Sequence, residues 1–84
     1  METGLLWFDN DPRTSLEEKI RRAACRYAQK FGQPATLCIL NPKALAALSG
    51  EPPREVLVEG RAVKVLAARQ VLPHHFWVGV AKTP

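Results

Sequence analysis

Residues 14–32 have the sequence TSLEEKIRRAACRYAQKFG, which predicts an amphipathic α-helix with a defined beginning and end. Placed at roughly 100° per residue, its apolar residues form one stripe that faces a core. These residues are Leu16, Ile20, Ala23, Ala24, Tyr27 and Phe31. Gly32 is suited to the left-handed conformation that closes a helix, and Pro34 prevents the helix from continuing.

Two residue pairs have the spacing of a capping box at the start of this helix. They are Thr14 with Glu17 and Ser15 with Glu18. In such a pair, each side chain bonds the free backbone N–H of the other residue, so either pair is suited to begin the helix.

A second stripe of the same helix is cationic, and it is the feature of the sequence that most directly indicates a partner. Its members are Lys19, Arg22, Arg26 and Lys30. They lie in a sector of roughly 80° and span about 16 Å of helix. Such a stripe is suited to nucleic-acid phosphates or to an acidic protein surface. The alternative is a solvated face whose long side chains shield the edge of the core.

Apolar runs on both sides of the helix predict strands. Residues 4–8 (GLLWF) form a short apolar run that ends at the turn-forming residues 9–12 (DNDP). Residues 35–40 (ATLCIL) are apolar without alternation, as expected of a strand covered on both faces. Asn41 and Pro42 then begin a second, shorter helix, as its N-cap and its first helical residue.

The second helix leads into the C-terminal half of the chain. Leu45 and Leu48 provide it with a small apolar face, and Gly50 is predicted to close it. The loop at residues 51–53 (EPP) excludes regular structure because it contains two consecutive prolines.

The following segment predicts a β-hairpin. If residues 59–60 form a two-residue turn, Val56 faces Val63 and Glu55 faces Lys64. This register places valines on one face of the hairpin and an oppositely charged pair on the other. Glutamate is unfavourable at positive φ, so a longer loop with a bulge is the alternative.

A last strand is predicted after Pro73, at residues 74–80. Alternation places His74, Phe76, Val78 and Val80 on one face and His75, Trp77 and Gly79 on the other. We expect His74, among apolar neighbours, to be a partly buried, hydrogen-bonded imidazole and His75 to be exposed. If helices cover one face of the sheet, Trp77 lies on the other face, so His75 and Trp77 form a candidate interface.

Together these segments predict an α+β domain with the element order β-α-β-α-β-β-β. We expect a small mixed sheet of four to five strands with two helices, the longer helix packed on one sheet face. The first strand–helix–strand unit is expected to be a right-handed parallel crossover. Residues 1–84 are enough for a single domain with one core, and residues 1–4 and 81–84 are predicted to be loose tails.

The composition is that of a globular domain with a small positive excess, a formal net charge of +4. The chain contains no apolar run long enough for a membrane-spanning helix, so no membrane association is expected. Glu2 stands where a secretory signal has its positive region, and two cysteines do not make a disulfide framework. These features predict a cytoplasmic location.

No catalytic set, metal site or cofactor site is predicted from these residues. His74 and His75 are adjacent and point to opposite faces of a strand, which prevents them from chelating one ion. Cys38 lies within an apolar strand and is expected in the core. Cys25 lies near arginines on the helix, where a reactive thiol is one interpretation and a packed or outer-face residue is the other.

The sequence therefore predicts a small non-catalytic binding or adaptor domain that meets an acidic macromolecular partner through the first helix. A protein partner is the first hypothesis, with a homodimer as one form of it, through His75 and Trp77. The alternative is nucleic-acid binding through the cationic stripe of the first helix.

Overall fold

The chain folds into a five-stranded mixed sheet with two helices in a computed structural model that describes residues 4–46 and 53–80. The elements are β1 (Gly4–Phe8), α1 (Leu16–Phe31), β2 (Leu37–Leu40), α2 (Pro42–Ala46), β3 (Glu55–Val58), β4 (Arg61–Ala67) and β5 (His75–Gly79). The predicted element order and the α+β class are confirmed.

The strand order across the sheet is β1-β5-β2-β4-β3. The central strand β2 is parallel to β4 and antiparallel to β5, and β5 is antiparallel to β1. The strands β1 and β2 consequently run in the same direction, but they are not neighbours. The predicted crossover through α1 therefore passes over one intervening strand. That strand is β5, which is hydrogen-bonded to β1 on one side and to β2 on the other.

The helix α1 begins and ends where the sequence indicates. Ser15 is the N-cap, and its hydroxyl oxygen accepts a hydrogen bond of 3.2 Å from the backbone N–H of Glu18. At the other end, Gly32 has a φ of 73°, and its N–H donates to the carbonyl of Ala28. The capping residue is thus Ser15, whereas the hydroxyl of Thr14 donates to Asp11 Oδ2 at 3.0 Å.

The core lies between α1 and one face of the sheet. The helix contributes Ile20, Ala23, Ala24 and Tyr27, all buried, and the strands contribute buried residues from β2 to β5. These strand residues are Cys38, Leu40, Val56, Val63, Val65, Phe76 and Val78. Leu16 and Phe31, at the two ends of the apolar stripe, are partly buried against the same cluster.

The β3–β4 hairpin has the predicted register. Val56 pairs with Val63 and Glu55 pairs with Lys64. Glu59 and Gly60 have φ values of 51° and 78°, as a two-residue type I′ turn requires. The alternative prediction of a longer loop with a bulge is therefore wrong. Glu59 adopts the left-handed conformation because the paired strands impose it.

The expectation that both faces of β2 are covered is wrong. Cys38 and Leu40 are buried beneath α1, whereas Leu37 and Ile39 point to the other face and are only partly buried. Within the described residues, neither helix contributes to that second face. The unbroken apolar run therefore belongs to a central strand whose second face is only partly covered, by side chains of the neighbouring strands.

The second helix, α2, has the predicted start. The side-chain oxygen of Asn41 accepts a hydrogen bond of 2.9 Å from the backbone N–H of Lys43. The predicted role of Leu48, the helix end at Gly50 and the loop at residues 51–52 lie outside the described residues. The same holds for the predicted tails, except for Gly4, which begins β1. No helix in the described part of the chain is both long and apolar enough to cross a membrane.

Candidate functional site

The sheet face opposite α1, here called the open face, carries a continuous apolar surface. Its central row crosses four neighbouring strands through Leu6, Trp77, Ile39 and Leu66, which are partners in the strand register. Leu6 is 60% exposed and Leu66 is 45% exposed, at the two ends of this row. Phe8 on β1 and Leu57 on β3 extend the surface and are 56% and 64% exposed. Contiguous apolar surface of this kind is typical of a macromolecular interface.

Trp77 lies flat on the open face over two glycines. A Cβ atom at Gly79 would lie 2.6 Å from Cη2 of Trp77, and one at Gly4 would overlap the same indole ring. Both positions therefore need glycine, because the ring occupies the space of a side chain. The prediction that Trp77 faces away from the helix agrees with its place in the sheet. The ring is half-buried because its own sheet supports it from below.

The two histidines have the reverse of the predicted environments. His74 is exposed and has a φ of 67°, so it precedes β5 and does not continue the alternation of the strand. His75 is half-buried, and its Nδ1 lies 2.9 Å from the carbonyl oxygen of Pro73. Its ring also contacts Phe8, with 5.0 Å between ring centroids. The expectation for His74 is wrong because the strand begins one residue later than predicted.

The open face is close to electrically neutral within the described strands. Glu55 and Lys64 are its acidic and basic side chains, and they are direct partners in the β3–β4 register. The cations of α1 lie on the other side of the sheet. The positive excess of the chain is therefore not a property of the open face.

The four residues of the cationic stripe do not form a uniform surface. Arg22, Arg26 and Lys30 are exposed, and Lys19 is half-buried. The carboxylate of Glu18 lies 3.5 Å from Arg22 Nε, which offsets part of the positive charge of the stripe. Glu18 also lies 3.5 Å from Arg21 Nη1. At the far end, Lys30 Nζ lies 5.7 Å from the ring centroid of Phe31.

Lys19 instead lines a cleft of about 500 Å³. The cleft lies between the residues that follow β1, the first turn of α1, the start of α2 and the residues that begin β5. Its charged and polar lining consists of Asp9, Thr14, Ser15, Lys19, Lys43 and His74. Its apolar lining consists of Pro12, Leu16, Ala44, Pro73 and Phe76. The sequence alone did not indicate Lys43 as a site residue, because its neighbours in the cleft come from two segments that are distant along the chain.

The loop that leads into α1 is held by the ionised carboxylate of Asp11. Hydrogen bonds from the backbone N–H of Arg13 and from the hydroxyl of Thr14 lower the pKa of this carboxyl. The nearby positive charges of Lys19 and Arg22 lower the pKa further. The charge of Lys19 and Arg22 thus also stabilises the loop that precedes α1.

The two cysteines have different surroundings. Cys38 is fully buried, and desolvation raises the pKa of its thiol to about 12, so it remains protonated and unreactive at neutral pH. Cys25 is half-buried, with its Sγ 3.9 Å from Glu59 Oε1.

Metal-binding clusters of three or more suitable side chains are absent from residues 4–46 and 53–80. The chain matches no protein-family model, no curated protein and no solved structure in the comparisons made. The features of the described residues that bear on function are the open face, the cationic stripe and the cleft.

Proposed function

We propose that this domain is a non-catalytic protein-interaction module whose contact surface is the open face and whose partner is a second copy of the chain. The observation that carries the proposal is the apolar row of Leu6, Trp77, Ile39 and Leu66 across four strands. Transferring such surface from water into an interface is favourable, at roughly 25 cal/mol per Å². Association with a partner would bury the exposed side chains of Leu6 and Leu66 at the two ends of this row.

The distribution of charge favours a second copy over an acidic partner. Two chains with a net charge of +4 repel each other most strongly where their cations meet, which is the surface of α1. The open face instead offers one carboxylate and one ammonium group, Glu55 and Lys64, side by side. Packing about a two-fold axis repeats the same contacts on both copies, so each Glu55 can approach the Lys64 of the other copy.

The rigid aromatic centre of the open face supports the same proposal. The Trp77 ring is held over Gly79 and Gly4 before any partner arrives, so little side-chain freedom is lost on association. A large aromatic side chain at the centre of an apolar surface is the residue type that most often dominates binding energy.

The test is sedimentation equilibrium of the full chain over a range of concentrations. We expect a reversible dimer, and we expect the double variant Leu6→Gln, Leu66→Gln to be monomeric with an unchanged circular dichroism spectrum. Leu72→Gln is the matched control, because Leu72 is an exposed leucine in the loop between β4 and β5 and is 64% exposed. This control should dimerise like the original chain.

Two results would contradict the proposal. One is a strict monomer at all concentrations, and the other is a double variant that still dimerises. Trp77→Ala provides a further check, since it should prevent association with a modest effect on the monomer. A large loss of thermal stability in a demonstrated monomer would instead assign Trp77 to the core.

Nucleic-acid binding through Lys19, Arg22, Arg26 and Lys30 is the alternative proposal. Three exposed cations along one helix support it, whereas the pairing of Glu18 with Arg22 weakens it. Tight retention of labelled duplex DNA at low salt, lost as the salt concentration rises, would favour this alternative. A cytoplasmic location remains a prediction from the sequence.

A further inference from the structure

We propose that the cleft beside the first turn of α1 binds a small organic phosphate, with Lys19 and Lys43 as its cationic contacts. This inference is independent of self-association, because the cleft lies at one end of the sheet and not on the open face. It rests on the size, the lining and the position of the cleft.

The size and the floor of the cleft fit a small molecule with an apolar part. A volume of about 500 Å³ lies within the range of roughly 300–1,000 Å³ that is usual for ligand pockets. Leu16, Ala44 and Phe76 line it and belong to the core cluster or pack against it, so they provide a firm apolar wall. A free inorganic ion would leave this apolar wall in contact with water.

The charge of the lining favours an anion with two negative charges. Lys19 and Lys43 face one acidic group in the cleft, the carboxylate of Asp9. That carboxylate already accepts a hydrogen bond of 3.0 Å from the backbone N–H of Asp11, so it is held at the loop. A phosphate monoester carries a charge of roughly −1.5 to −2 and three acceptor oxygens, which suits two ammonium groups better than a carboxylate ligand does.

Two further polar side chains line the cleft, those of Ser15 and His74. The Ser15 hydroxyl oxygen accepts the capping bond from Glu18, and its own O–H remains able to donate to a ligand. His74 is exposed at the edge of the cleft, and its main chain is fixed because its carbonyl accepts a bond of 3.0 Å from the N–H of Asp9. The backbone that carries the imidazole is therefore fixed at the edge of the cleft.

The position of the cleft in the fold agrees with a binding role. Two strands that run in the same direction, β1 and β2, both end beside it, at Phe8 and Leu40. The residues after β1 lead into α1 and Asn41 leads into α2, so the first connection and the starts of both helices contribute side chains to the cleft.

The experiment is a titration of the ¹⁵N-labelled full chain with phenyl phosphate, followed by backbone amide chemical shifts. We expect saturable shifts concentrated at Ser15, Leu16, Lys19, Ala44 and Phe76. Phenol, which has the ring without the charge, and benzoate, which carries a single negative charge, should both bind more weakly. Inorganic phosphate should also bind more weakly, because it does not use the apolar wall.

Matched variants distinguish binding of phenyl phosphate at the cleft from general attraction of an anion to a positively charged protein. The double variant Lys19→Gln, Lys43→Gln should bind phenyl phosphate about tenfold more weakly or worse, as expected for the loss of two charged hydrogen bonds. The control Lys30→Gln, Arg61→Gln removes the same charge from two exposed positions that do not line the cleft, and it should keep the original affinity. Each variant is first checked by its thermal unfolding.

The proposal is overturned if phenyl phosphate produces no saturable shift at millimolar concentration. It is also overturned if the shifts spread along α1 to Arg26 and Lys30, or if the two double variants weaken binding equally. A self-association that fails while the titration succeeds would leave the cleft assignment intact, and the reverse result would leave the dimer intact.

Discussion

The two faces of this sheet are built from the same strands, yet one is a core and the other is a surface. On the covered face, Phe76 is 2% exposed and Val78 is fully buried beneath α1. On the open face, Phe8 is 56% exposed and Leu57 is 64% exposed. The two sets of side chains have a similar apolar character. What distinguishes them is the helix that covers one set.

Hydrophobic alternation does not by itself determine which face of a sheet is buried. A strand such as β5 has apolar residues on both faces, with Phe76 inside and Trp77 outside. The described ranges contain one long helix, α1. A single helix covers only one face of the sheet. The apolar residues of the other face therefore remain at the surface.

The largest expected effect separates two phenylalanines, one from each face. Phe76→Ala should lower the free energy of unfolding by about 3–5 kcal/mol, since it removes buried contacts and leaves a cavity. Phe8→Ala should lower it by about 1 kcal/mol or less, because its ring is more than half exposed. Urea-induced unfolding of the monomer, followed by circular dichroism, measures both values.

Phe76→Leu is the companion variant if Phe76→Ala does not fold, and it should lose less stability because it keeps most of the buried volume. Equal losses for the alanine variants of Phe76 and Phe8 would contradict the distinction between the two faces.

An intermediate effect is expected where the Trp77 ring rests on the sheet. Gly79→Ala should lower the free energy of unfolding by about 1–3 kcal/mol, because the new Cβ would overlap the indole and displace it. The intrinsic fluorescence of the chain should change at the same time. The measurement is urea-induced unfolding combined with an emission spectrum.

The control for this prediction is the same substitution in a Trp77→Ala background. Without the indole, Gly79→Ala should cost much less, so the two changes should be strongly non-additive. Additive losses would mean that the close approach of Trp77 to Gly79 does not determine the requirement for glycine.

The smallest expected effect concerns the loop that leads into the covering helix. The pKa of Asp11 is lowered by hydrogen bonds from the Arg13 N–H and the Thr14 hydroxyl and by nearby cations. A carboxyl with a lowered folded-state pKa stabilises the fold above its unfolded-state pKa, and this contribution is lost as the pH falls through the folded-state pKa. The thermal unfolding temperature should therefore fall on acidification, and by less in Asp11→Asn.

A carboxyl-detected NMR titration checks the cause directly. Asp11 should titrate below the ordinary value of 3.8 for an aspartate. A midpoint at or above that value would contradict the argument, and so would an identical pH dependence of unfolding in the asparagine variant.

Much of the fold could be predicted because the signals are local. The capping side chain of Ser15 and the closing glycine, Gly32, act within one helical turn of the residues that they terminate. The β3–β4 hairpin depends on residues that are close in sequence, and its register followed from the pairing of Val56 with Val63 and Glu55 with Lys64. In both elements, the residues that interact are near neighbours along the chain.

The candidate sites were harder to predict because their residues are distant in sequence. The placement of Trp77 away from the helix followed from alternation, but the row that it joins required the order of the strands. The cleft brings Lys19 and Lys43 together through the arrangement of α1 and α2 around the ends of β1 and β2. The environments of His74 and His75 are the reverse of those predicted. The strand β5 begins at His75, one residue later than the sequence indicated.

Local sequence was thus sufficient for the elements, their order and most of their boundaries, since backbone hydrogen bonds and caps connect neighbouring residues. Long-range packing was needed for the insertion of β5 between β1 and β2 and for the covering of only one sheet face. Those features depend on which apolar surfaces are buried against each other when the chain folds. This is a property of the whole folded chain, and it is what creates both the open face and the cleft.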